Sequence, residues 1–134
     1  MYSENSVVNA VLSEKAMVCE NAGIVLDSQV TLPNQLPIRP VHLCSLFSNL
    51  LDNAIHAAEK CSKEERVIIV KAALYGDYLN VKVENTVADF RKGEKPERKG
   101  YGQEIICDIT KQYHGECYTE EKQNRYIAVV TLEL

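Results

Sequence analysis

The sequence predicts an α+β domain built as a two-layer α/β sandwich, with helices covering one face of a sheet. Three observations predict it. Three segments carry apolar residues three and four apart, the helical period, and shorter segments between them read as strands. Two pairs of those strands are joined by short turns, which makes antiparallel hairpins. The chain has 134 residues, 46% of them apolar, enough for one domain with its own core and no staple.

The elements follow in chain order. From Ser6 to Ala22, Val8, Val11, Leu12, Ala16 and Cys19 mark one face of a helix, and Gly23 stands where a helix-ending glycine belongs. Ile24 to Leu32 reads as a strand. Pro33, Pro37 and Pro40 punctuate a loop, and Pro40 suits the first turn of the next helix. Val41 to Cys61 is the most strongly patterned segment, with Leu43, Leu46, Phe47, Leu50, Leu51, Ala54, Ala57 and Ala58 on a broad apolar face. Arg66 to Leu74 and Leu79 to Asn85 are strands around a tight turn at Tyr75-Gly76-Asp77-Tyr78. Residues 86 to 101 read as a charged loop. Gly102 to Tyr113 is helical, and His114-Gly115 ends it. Glu116 to Glu121 and Arg125 to Leu134 form a last hairpin around Lys122-Gln123-Asn124.

Composition excludes several function classes. The net charge of −4 argues against a nucleic-acid surface. No apolar run is long enough for a membrane span, and the start resembles no signal peptide. Cys19, Cys44, Cys61, Cys107 and Cys117 form no C-x-x-C pair, and no histidine follows at zinc-finger spacing. They read as small apolar filler in a reduced, cytosolic compartment.

Two patterns point to chemistry. Asn49, Asn53, His56 and Lys60 fall at i, i+4, i+7 and i+11, one face of a helix, with Asp52 beside them. Asparagine is a poor helix former, so two of them one turn apart are locally unfavourable. A plain solvated face more often carries Glu, Lys and Gln. The row therefore reads as the lining of a cleft, where amide oxygens are hard ligands suited to Mg²⁺. For His56 alone, a surface histidine is the favoured reading. Along the third strand, Leu79, Val81 and Val83 share a face that Asn85 continues. An amide at the end of an apolar row is costly unless something hydrogen-bonds it. Adenine offers a matching donor and acceptor, although an asparagine that caps the strand is the simpler alternative.

Asn49-Leu50-Leu51-Asp52-Asn53-Ala54-Ile55-His56-Ala57-Ala58 resembles the N-box of the gyrase/Hsp90/histidine-kinase/MutL ATP-binding superfamily. The surrounding pattern is most similar to sensor histidine kinases of the peptide quorum-sensing type, in which Asn85-Thr86 matches an Asn-Ser or Asn-Thr pair. Lys99-Gly100-Tyr101-Gly102, then Ile106 and Tyr113-His114-Gly115, resemble the glycine box and the helix that follows it. The chain departs from the pattern at Gln103, where the family has Leu, and at Val87 and Asp89, where it has glycines.

The resemblance implies a Bergerat fold: a mixed, mostly antiparallel sheet with three helices on one face. It implies ATP and Mg²⁺ as ligands, with Asn53 on the Mg²⁺ and Asn49 and His56 on the phosphate side. Asn85 and Thr86 would meet adenine, while Lys99, Gly100, Tyr101 and Gly102 would meet the triphosphate. ATPases of the superfamily carry Glu in place of Asn49 as general base. An amide cannot take that proton, so phosphoryl transfer rather than hydrolysis is implied. The basic stretch 91–99, with a local charge of +3, would be the ATP lid.

Residues 1–22 would be a first helix or the tail of a dimerisation helix, and residues 23–134 the catalytic domain. None of His42, His56 and His114 lies in a pattern like the family's histidine box. The implied partners are therefore an upstream histidine-containing dimerisation domain and a response regulator. The implied parent is a homodimeric membrane sensor whose cytosolic piece this is, without direct membrane contact of its own. Alternative readings are a degenerate, non-catalytic interaction module and an anti-sigma-type serine kinase.

Overall fold

A computed structural model describes residues 3–88 and 101–134. Helix α1 (Ser6–Asn21) is followed by β1 (Val25–Thr31), α2 (Pro40–Ala58), a 3₁₀ turn at Lys63–Glu65, and the hairpin β2 (Val67–Tyr75) and β3 (Tyr78–Thr86). Helix α3 (Tyr101–Gln112) and the hairpin β4 (Glu116–Lys122) and β5 (Arg125–Glu133) complete the chain. The elements appear in the order the sequence predicts. The predicted basic stretch 91–99, with Lys99, and also Gly100 lie outside the described residues.

The five strands form one sheet in the order β1-β2-β3-β5-β4. β1 and β2 run parallel and every other pair is antiparallel. Parallel neighbours need a crossover, and α2 supplies it between β1 and β2. α2 packs on β2 and β3, with α1 on one flank and α3 on the other. Among the described residues no helix is long and apolar enough to cross a membrane.

The helix-facing row of the central strands alternates as a half-buried sheet should. Leu79, Val81 and Val83 are buried on β3 and meet Leu132, Val130 and Ala128 on β5. The apolar face of α2 closes over them, with Leu46, Phe47 and Leu51 fully enclosed. At ~25 cal/mol per Å² of buried apolar area, that layer is the main favourable contribution to folding.

Local signals account for the element ends. Asn5 caps α1: its Oδ1 accepts the Val8 N–H at 3.1 Å, while its Nδ2 donates to Pro33 O and Asn34 O. Gly23, at φ +70°, turns the chain out of α1, and Pro40 opens α2. Gln123 and Asn124 both take positive φ in the two-residue turn of the last hairpin.

Element ends differ from the prediction by no more than one residue, with one exception. Helix α2 stops at Ala58 rather than Cys61. Beyond that end the chain is gathered by Arg66, whose guanidinium donates to Cys61 O (3.0 Å), Ala22 O (2.6 Å) and Glu59 O (2.7 Å). It takes up carbonyls that the ends of α1 and α2 leave without helical partners. The predicted pair His114-Gly115 does end α3, with His114 in the left-handed conformation (φ +50°). Gly115 serves a different need: a Cβ there would lie 1.9 Å from Thr131 O of β5.

Candidate functional site

Helix α2 places its polar row one turn at a time over the open end of the sheet. Asn53, His56 and Lys60 line a cavity of about 660 Å³, together with Asp52 and Ala57. That volume is in the range of small-molecule sites. Leu50 and Ala54 of α2, Ile106 and Gln103 of α3, and Val83, Ala128 and Val130 of the sheet supply the apolar and mixed walls. Asn85, Val87 and Ala88 lie at the end of β3, with Tyr126, Thr119 and Glu121 across the sheet.

Asn85 continues the inward row of β3 as the alternation predicts, and is only 2% exposed. Its Nδ2 donates to Thr86 O at 2.9 Å, which fixes the plane of the carboxamide beside the cavity. Thr86 does not line the cavity. Its hydroxyl accepts the Val67 N–H at 3.2 Å, extending the β2–β3 ladder by one bond.

Asn49 lies one turn before Asn53 but does not line the cavity either. Its Nδ2 donates to Ser45 O at 2.7 Å, the carbonyl one turn back. Its Oδ1 faces the first turn of α3, where a Cβ on Gly102 would come within 2.8 Å of it. A side chain at Gly102 would have to displace the Asn49 carboxamide for α3 to keep this approach to α2. The chain then runs along α2 in the opposite sense, until the Tyr113 hydroxyl accepts the Arg39 N–H (3.1 Å) and meets His42 Nδ1 at 2.7 Å. The two rings also pack edge to face. The first turn of α3, including Tyr101, therefore opens beside the polar row of α2, where a helix favours an anion.

Asp52 has a second role that periodicity alone does not disclose. Lys15 of α1 is buried, and its Nζ pairs with Asp52 at 2.7 Å and Glu14 at 3.0 Å. Burial works to lower the Lys15 pKa, but the two carboxylates outweigh it and hold the ammonium above its ordinary 10.5.

A family model for the GHKL domain matches residues 38–133, which span α2 to β5. The chain belongs to the GHKL domain family. Among curated proteins none matches the sequence significantly. This GHKL domain shares its fold with the catalytic domain of histidine kinase ThkA, at TM-score 0.75 and 15% identity, over 95% of this chain and 90% of that one. It is similar to the mycobacterial sensor histidine kinase MprB, at TM-score 0.70 and 14% identity, over 95% of this chain and 93% of that one. Histidine kinase AdeS of Acinetobacter baumannii matches at TM-score 0.73 and 14% identity, over 96% of this chain and 63% of that one. The predicted three-helix, five-stranded architecture is the one these catalytic domains share.

Proposed function

We propose that this GHKL domain binds Mg·ATP and is the catalytic domain of a sensor histidine kinase, presenting the γ-phosphoryl to a histidine on a separate dimerisation domain. One observation carries the reading. A single cavity has the amide and basic side chains of Asn53, His56 and Lys60 on its helical wall and buried Asn85 on its sheet wall. An adenine amino group suits the acceptor end of the Asn85 amide, and an apolar wall of Leu50, Val83, Ile106 and Val130 suits the purine face. The Asn53 oxygen is a hard donor of the kind Mg²⁺ accepts alongside phosphate and water. Bound Mg²⁺ would supply charge neutralisation on the phosphates.

The chain's own residues do the rest. Asn53, His56 and Lys60 hold and orient the phosphate end. Asn49 lies against Gly102 where α3 approaches α2, and Lys99, Gly100, Tyr101 and Gly102 are assigned to the triphosphate by their resemblance to the glycine box. Asn49 is an amide where a hydrolase needs a base, so water is not activated there. Asn85-Thr86 supports the peptide quorum-sensing branch, and with it a homodimeric membrane sensor and a response regulator as downstream partner. Gln103 in the cavity wall favours a second reading, a module that keeps the fold and works through protein contacts.

Calorimetric titration of ATP with and without Mg²⁺ separates the two. Mg²⁺-dependent binding between micromolar and low millimolar, lost in Asn53→Ala at unchanged unfolding midpoint, is the expected result. No heat at several millimolar ATP leaves the interaction module.

A further inference from the structure

Two of the five cysteines are not solitary. Cys107 on α3 and Cys117 on β4 place their sulfurs 3.8 Å apart, both partly exposed. The short segment between them is anchored at three points. Tyr113 is held by Arg39 and His42, Gly115 N donates to Thr110 O, and Glu133 N donates to Tyr113 O. The sulfurs are thus kept facing each other by the backbone. Cys117 also lines the cavity, and Cys107 sits beside Ile106, which lines it from α3.

We propose that Cys107 and Cys117 are a redox-modification site: a low-molecular-weight disulfide converts them to an intrachain disulfide that staples α3 to β4 at the cavity wall. The gap is wider than the ~2.05 Å of an S–S bond, so closure draws the two elements together or turns both side chains. The step balances. One cysteine thiolate attacks the small disulfide, forming a mixed disulfide and releasing one small thiol. The second cysteine sulfur attacks the protein-side sulfur and releases the other. Two protein S–H bonds and one small S–S bond become one protein S–S bond and two small S–H bonds. Burial, and then Cys107 beside it, pushes the Cys117 thiol above its ordinary 9.0, so Cys117 rests protonated at neutral pH.

The site's chemistry stands without any assumption about nucleotide. Its consequence rests on the proposed ATP reading: the staple repositions Ile106, Gln103 and Cys117, and ATP affinity changes with it. Among the remaining cysteines only Cys44 is open to a small disulfide. Cys19 and Cys61 are buried, and Cys44 is exposed.

The test uses the full chain carrying Cys44→Ser, treated with oxidised glutathione. The expected product has lost two free thiols, is lighter by two hydrogens, carries no glutathione and gives one peptide joining Cys107 to Cys117. Dithiothreitol reverses it, and Cys107→Ala prevents it. Thiols that stay reduced, or a stable glutathione adduct on either cysteine, overturn the site. ATP titration of the oxidised form should then show affinity at least about five-fold weaker than the reduced form. Equal affinities overturn the coupling. Failure of the reduced form to bind ATP overturns the nucleotide reading instead, and the peptide map still decides the disulfide.

Discussion

The two ends of α3 are held by different means. At its C-terminal end the contacts are to backbone or to packed rings: Gly115 abuts Thr131 O, and the Tyr113 hydroxyl accepts the Arg39 N–H and meets His42 Nδ1. At its N-terminal end Gly102 lies against the Asn49 side chain, where an added Cβ would come 2.8 Å from Oδ1 and 3.5 Å from Cβ and Cγ. A carboxamide swings at the cost of a rotamer, whereas a strand carbonyl does not move without its ladder. The end of α3 away from the polar row is therefore fixed, and the end beside it is adjustable. That is the arrangement a helix needs if its first turn is to settle around a ligand.

Gly115→Ala attacks the fixed end and carries the largest expected effect. The added Cβ has nowhere to go, and the domain should lose at least about 3 kcal/mol or fail to fold. A urea midpoint near the parent's would show that β5 yields to the added Cβ. Tyr113→Phe keeps the ring and removes two hydrogen bonds at that end, for about 1–2 kcal/mol. ATP affinity should be unchanged, because the adjustable end is untouched. A large loss of affinity without loss of stability would reverse the assignment of the two ends.

Lys15 sharpens the comparison from behind the polar row. Its folded pKa lies above the ordinary 10.5. The stabilisation it brings is fully present below 10.5 and is lost as pH rises through the folded value. Asp52 stays largely exposed, so the loss is modest, at most about 1 kcal/mol. Lys15→Met should flatten the fall in stability above that pH, measured by chemical denaturation.

Gly102→Ala is the smallest change in stability. Alanine gains up to about 1 kcal/mol of helix propensity, and displacing Asn49 from Ser45 costs about the same. Stability should stay within about 1 kcal/mol of the parent while ATP affinity falls. Unchanged affinity would mean that close approach at Gly102 serves packing alone.

Much of the fold was legible because periodicity is local. The 3.6-residue period of α2, the two-residue alternation of β3 and the turn residues at Gly23, Pro40 and Gln123-Asn124 each act over a few positions. The same periodicity aligned Asn53, His56 and Lys60 on one wall and brought Asn85 to the end of an apolar row. Tertiary structure decided whatever depends on a partner far along the chain. It turned Asn49 toward Gly102, gave Asp52 to Lys15, and bound the ends of α1 and α2 through Arg66. It brought the Cys107 and Cys117 sulfurs together, where spacing alone showed only scattered thiols. A residue's face follows from its own dihedrals and its neighbours; which group waits opposite that face follows from how the layers pack.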